Sequence, residues 1–394
     1  MPFLDRLGRI VTPGRRLIPQ IDGLRFVAIS TVFYYHIAHR LVLSGAGTDK
    51  PGRSLDFLMN SGMYGVELFF VISGFVLALP FVRARLAGGK SVSLRAYYLR
   101  RVTRLEPPYI SFLIAAFALK PLVESTTYRD LWPHLAAGLI YQHNTIFGFL
   151  NPILELAWSL EVEIQFYVLT PLLVSVFLLG NRRLRRFVLV LVIVAFSFAR
   201  FMIPAWRYYT CVFGHLQEFL TGYLLADFYV VDWNERPTQS HIWDLASLVG
   251  WAALWPLVRL QHSIFPFLVF PLLPFVILLA YCGALRGSLS RRFFGSRWIA
   301  ATGGMCYTIY LIHSEFIHHL VNAGRHLVPA MSLDLAFVVW SLVLTPPIFG
   351  ISALLFMLLE RPCMNPAWPS LLAARVRQAL HGRALGHAGP EDGP

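Results

Sequence analysis

The sequence predicts an all-α fold: a polytopic transmembrane helical bundle of about ten spans, or eleven if a shorter segment near 134–150 also crosses. Three observations carry this expectation. Of the 394 residues, 56% are hydrophobic and only 14% are charged, against roughly 45–50% and ~25% in soluble chains. The apolar excess is gathered into blocks close to the ~20 residues that a helix needs to cross a hydrocarbon core of about 30 Å. Between the blocks lie short runs of basic residues. Together these features exclude whole-chain disorder and argue against a water-soluble enzyme.

Candidate spans fall near 23–43, 62–82, 105–122, 158–180, 187–205, 213–231, 243–260, 264–285, 299–320 and 335–359. The piece 134–150 is shorter and is interrupted by His143, Asn144 and Gly148. If it does not cross, both termini and the loops 83–104, 181–186, 232–242 and 286–298 share one side, with 24 of the 34 Lys and Arg residues. That side is then cytoplasmic by the positive-inside rule. The opposite loops keep only a few, such as Lys50, Arg53, Arg129, Arg207 and Arg325. If it did cross, Arg182, Arg183, Arg185 and Arg186 would face outward, so 123–157 is expected to be a re-entrant or outer-side segment. Residues 1–364 read as one transmembrane domain and 365–394 as a flexible cytoplasmic tail. No internal repeat, appended soluble domain or cleavable signal is evident. The predicted location is the inner (plasma) membrane, with membrane lipids around the bundle.

The net charge is +13, from 34 Lys+Arg against 21 Asp+Glu, and the pI is near 9.9. The loop bias accounts for it, and no basic helix or aromatic-interleaved strand invites nucleic acid. Cys211, Cys282, Cys306 and Cys363 are scattered without CxxC or Cys/His metal spacing, so no metal site is expected and each reads as a small buried hydrophobe.

Ionisable residues within spans are expensive and are candidate functional groups by default. The first span offers Asp22, Arg25 and His36. Eleven residues separate Arg25 from His36, three helical turns or about 16 Å on one face. Imidazole suits proton transfer near neutral pH; the alternative is a structural histidine held by a neighbouring helix, and His39 could share the face. In the second span Glu67 sits in an apolar run, while Gly65 and Gly74 read as packing residues. Ser73 lacks a nucleophile elbow. Arg101 and Arg104 are neighbours on a helix entering the third span. Either is explained by positive-inside charge, but as a pair they could grip phosphates. Glu161 and Glu163 point to different sides of the fourth span, Glu163 being the better buried partner for a His or Arg. Tyr307, Tyr310 and His313 follow at i,i+3 spacing. Glu360 closes the last span, where it could pair with an Arg of a basic loop.

The segments DGLR with its Arg25-to-His36 spacing, GVELFFVISGF (65–75), Arg101-x-x-Arg104, WSLEVEIQFY (158–167), YTIYLIH (307–313) and ERP (360–362) occur in that order. Taken together they resemble the acyltransferase 3 family of integral membrane acyltransferases over about residues 18–362. The resemblance implies transfer of an acetyl or other short acyl group from cytoplasmic acyl-CoA, a co-substrate rather than a resident cofactor, to a hydroxyl. The acceptor would be a carbohydrate or lipid-linked envelope glycan, or a macrolide-like small molecule as in some members. It implies His36 as catalytic histidine with Arg25 and Glu163 as companions, and Arg101, Arg104, Tyr307 and His313 at the coenzyme. Glu67 stands where many members carry Asp, and LEPPY differs from the commoner single proline before Tyr. Some relatives carry a fused extracytoplasmic domain, so this chain would act alone or with a separate partner. The competing class is a transporter, which predicts two related halves; none is visible.

Overall fold

In lipid the backbone must satisfy its own hydrogen bonds, so long apolar blocks resolve as helices. A computed structural model describes residues 7–8, 17–45, 50–260, 266–324, 331–365, 367–371, 373–374 and 378, and among them there is no strand. The main helices are α1 (Pro19–Ser44), α2 (Arg53–Ser61), α3 (Gly65–Leu86), α4 (Leu94–Val123), α5 (Tyr128–Leu139), α6 (His143–Phe147), α7 (Ala157–Leu173) and α8 (Arg182–Met202). They continue as α9 (Leu216–Asp227), α10 (His241–Leu260), α11 (Pro266–Arg286), α12 (Ser288–Phe294), α13 (Arg297–Gly304), α14 (Cys306–Gly324) and α15 (Leu333–Leu355). A helix stands at each expected span, and six are long and apolar enough to cross a membrane. The other four are shorter, less apolar or, like α8 with its arginines, more charged, so six of the ten expected spans have the length and composition of a crossing helix.

Two expectations change on folding. Arg182, Arg183, Arg185 and Arg186 are not a loop. Asn181 accepts from the Arg183 and Leu184 amides at 2.9 and 3.3 Å, an N-cap that starts α8 at Arg182. Arg185 is then buried against Asp227, and Arg186 reaches Asp227 at 2.6 Å and Asp232 at 2.9 Å. The ninth span is likewise broken at Met305, into α13 and α14. Between 128 and 147, α5 has 12 residues and α6 five; at ~1.5 Å per residue neither approaches the ~30 Å of a crossing. Gly148, at φ 78°, ends α6 in the left-handed region. Arg6, Arg9, Arg15, Arg16, Arg325, Arg375, Arg377 and Arg383, and most of the expected tail, lie outside the described residues.

α1 lies at the centre, packed on α3, α13, α14 and α15. A close pairing joins α3 to α9, where a Cβ on Gly74 would stand on the Phe219 carbonyl and one on Gly222 on the Val71 carbonyl. Glycine is what lets these backbones touch, and beside the contact Phe166 stacks on Phe219 with centroids 3.7 Å apart. Because backbone cannot move aside as a rotamer can, Gly222→Val is expected to exceed the ~1–3 kcal/mol of ordinary overpacking. Size-exclusion of detergent-extracted protein should show loss of the monodisperse peak; a wild-type profile would refute this packing.

Candidate active site

A cavity of about 160 Å³ opens between α1, α3, α4, α7 and α14, and Arg25, Arg101, Arg104, Glu163, Tyr307 and Tyr310 line it. Five of the seven predicted site residues, all but His36 and His313, therefore meet in one place although they come from four helices. Arg25 is held by Asp22, three residues earlier on α1. Glu163 accepts from the Ser73 hydroxyl at 2.6 Å; Ser73 is thus a donor to a carboxylate. Arg101 sits over the Tyr97 and Tyr167 rings, 5.1 and 5.8 Å from their centroids, a cation–π clamp.

Arg104 owes its position to two irregular helices. Pro107 donates no amide to the Thr103 carbonyl, and the Trp368 indole donates to that oxygen instead, at 2.8 Å. At the end of α15 the chain widens into a π-turn, Phe356–Glu360, and this turn carries Glu360 inward. Glu360 is fully buried, 3.7 Å from Arg104, and accepts from Thr308 at 2.7 Å. The expected pairing of Glu360 with a basic-loop arginine is therefore present. Tyr307 donates to the Leu105 carbonyl at 3.0 Å, tying α14 to the same turn of α4. Glu106 faces away from the arginines and accepts from Tyr141 at 3.2 Å.

His36 and His313 stand together, ring centroids 4.9 Å apart, outside the lining of this cavity. His313, expected at the coenzyme, stands beside His36, the expected catalytic imidazole. Carbonyls only accept, so the hydrogen bonds settle the neutral tautomers. His313 Nδ1 donates to the Ile309 and Tyr310 carbonyls at 3.0 and 2.9 Å, which leaves its Nε2 as acceptor. His36 Nδ1 donates to the Val32 carbonyl at 2.8 Å and faces His313 Nε2 at 3.3 Å. The basic nitrogen of His36 is accordingly Nε2. His36 is half-buried rather than sealed. Between the pair and the cavity stands Tyr310, whose hydroxyl meets Ser159 at 2.6 Å and whose ring lies 5.8 Å from that of His313. His39 is exposed and stacks on Tyr35, so it does not share the site.

A second polar cluster escaped sequence reasoning. Arg200 of α8 bonds Glu67 at 2.9 Å, lies 4.0 Å from Glu218, and donates to the Gly214 carbonyl and to His215 Nδ1 at 2.9 and 2.7 Å. His215 Nε2 donates to the Tyr209 carbonyl at 2.9 Å. An arginine thirteen residues into the apolar block that begins at Phe187 was the available signal. Glu161, fully buried, accepts from the His143 and Asn144 amides at 3.1 and 2.9 Å; it anchors the start of α6 and, as the spacing suggested, points away from Glu163.

A family model described as an acyltransferase domain matches residues 18–359. The chain is 27% identical over 176 residues to the peptidoglycan O-acetyltransferase OatA of Listeria monocytogenes, covering 42% of this chain and 25% of that protein. It is 27% identical over 186 residues to YrhL of Bacillus subtilis, provisionally named a peptidoglycan O-acetyltransferase, covering 43% and 26%. A provisionally named O-acetyltransferase of Staphylococcus aureus is 28% identical over 181 residues, covering 43% and 26%. The matched stretch is thus about a quarter of each relative's length. No solved structure matches the chain significantly.

In the second cluster two carboxyls share one guanidinium, so the partners are unequal. Arg200→Met is expected to cost ~3–5 kcal/mol by stranding buried carboxylate, whereas Glu218→Gln is expected to cost under about 1.5 kcal/mol, the worth of one hydrogen bond. Thermal unfolding of purified protein should rank them so; equal losses would refute the shared-cation arrangement.

Proposed function

The chain belongs to the acyltransferase family whose domain spans residues 18–359, and from that premise we propose that it is a membrane O-acetyltransferase moving an acetyl group from cytoplasmic acetyl-CoA to a hydroxyl of a cell-envelope glycan. The observation that carries the donor side is the convergence of Arg25, Arg101 and Arg104 on one cavity whose lining holds a single carboxylate, Glu163. Three fixed cations suit the phosphates of a coenzyme. The relatives' peptidoglycan O-acetyltransferase names support the glycan acceptor. In this reading the ten helices at the expected places all cross, both termini are cytoplasmic, and the arginine cavity opens inward.

The chemistry follows from the tautomers. The acceptor oxygen attacks the thioester carbonyl and its proton passes to His36 Nε2. The C–S bond then breaks, and the coenzyme leaves as thiol after taking that proton. The imidazolium formed on His36 is stabilised by the Nδ1–H hydrogen bonds to the Val32 carbonyl and to His313 Nε2. Tyr310 must swing aside for the acyl group to pass from the cavity to the imidazole, and its hydroxyl bond to Ser159 is what that motion breaks.

His36→Ala is expected to lower acetyl transfer by ~10²–10⁴-fold, the usual contribution of a positioned base, while protein level in the membrane stays constant. Arg101→Gln is expected to raise the KM for acetyl-CoA several-fold more than that for acceptor. Assays with radiolabelled acetyl-CoA and purified protein measure both. Near wild-type turnover of the His36 variant would remove the mechanism.

A further inference from the structure

Far from the arginines the bundle holds a second, larger cavity, of about 450 Å³, between α4, α14 and α15. Its body is hydrocarbon: Phe112, Ala116, Leu311, Ile312 and Leu355 are among its walls. Its mouth is not. Lys120, Glu315 and His319 line the same cavity, and Lys120 lies 3.5 Å from Glu124 and 3.8 Å from Glu315, which is itself 3.7 Å from His319. Sixteen residues of α4 separate Lys120 from Arg104, about 24 Å along the helix, so mouth and arginine cavity sit at opposite ends of the bundle.

The mouth shares α14 with the imidazole pair: Glu315 and His319 follow His313 by two and six residues, about 3 and 9 Å of rise. Arg40, one turn beyond His36 on α1, meets His318 of α14 at 3.4 Å, and His318 is adjacent to His319. One turn of α1 is about 6 Å of rise, so Arg40 and His36 stand at neighbouring levels of the bundle.

We infer that this cavity is the acceptor subsite and takes an amphiphilic glycoside, with its hydrocarbon chain between α4, α14 and α15 and its hydroxyl-rich head at Lys120, Glu315 and His319. The inference rests on the acyl-transfer reading above and deepens it. The volume falls in the ~300–1,000 Å³ range of ligand pockets. Hydroxyls donate to carboxylates and accept from ammonium, so they satisfy both signs of charge at the mouth. Two carboxylates flanking one ammonium repel an anionic head. Glu124, Glu315 and His319 lie within 4.8 Å of one another and resemble a cation's donor set, but Lys120 already supplies positive charge to both acids, which argues against an ion there.

The test uses the full chain in phosphatidylcholine nanodiscs and an alkyl glucoside with a diazirine near the end of its chain, cross-links being mapped by mass spectrometry. Adducts are expected on 112–116 of α4 and 311–316 of α14. Dodecyl glucoside should reduce them at least tenfold, and methyl glucoside at equal concentration should not. Ala116→Trp, which fills the cavity, and Glu315→Gln, which alters only the mouth, should each lower labelling several-fold. In the transfer assay Glu315→Gln should raise the KM for dodecyl glucoside several-fold and leave that for acetyl-CoA unchanged. A diazirine phosphatidylcholine that labels the same peptides and resists dodecyl glucoside would assign the cavity to bilayer lipid and overturn the proposal. So would transfer to glucosides from a chain whose cavity is never labelled. Labelling needs no turnover, so a labelled cavity in a chain that transfers nothing would instead sink the acyl-transfer reading and leave an amphiphile site.

Discussion

A guanidinium inside an apolar bundle must meet a carboxylate or an aromatic face, and that requirement decides which helices of this protein touch. Arg25 is matched by Asp22 within α1, but every other pairing ties distant segments: Arg104 to Glu360, Arg185 and Arg186 to Asp227, Arg200 to Glu67. Removing either partner leaves a buried charge at several kcal/mol, so these contacts specify arrangement even where hydrocarbon packing would tolerate alternatives. Close helix approach at Gly74 and Gly222 supplies the complementary steric constraint.

The polar groups that face cavities are distributed along one axis. At one end three arginines face a cavity; in the middle two imidazoles share a hydrogen bond; at the far end a mixed-charge mouth caps a hydrocarbon pocket. α1, α4 and α14 each contribute at more than one level, which couples the ends rigidly. Such an axis suits a reaction in which a phosphorylated donor and a hydroxyl acceptor arrive from different sides. Tyr310, between cavity and imidazoles, is the element whose rotamer would govern whether the two ends communicate.

Several features were legible because they follow from local chemistry. Helices stand where apolar blocks of crossing length occur, and Glu161 and Glu163 point apart because they are two residues apart on a helix; the segment 134–150 is interrupted at Gly148 as expected, but its other break falls at 140–142, and His143 and Asn144 open a helix instead of ending one. The acyltransferase resemblance held across nearly the whole chain because its motifs keep their order. Other features were not legible. The Asn181 cap drew four arginines into a helix, and the break at Met305 lies in a block whose hydropathy looks continuous. Arg200 was passed over because its partners lie on other helices.

By itself the sequence determined the class of molecule, the places of its helices and which side chains are candidates for chemistry, since composition, periodicity and motif order are properties of the chain alone. The tertiary structure decided how those residues are grouped: Glu163 with Arg25 and Arg101, Glu360 with Arg104, and His313 with His36 rather than with the arginines. Grouping depends on helix rotation, on the π-turn before Glu360 and on carbonyls that fix which imidazole nitrogen carries the proton. None of these is a function of spacing along one helix.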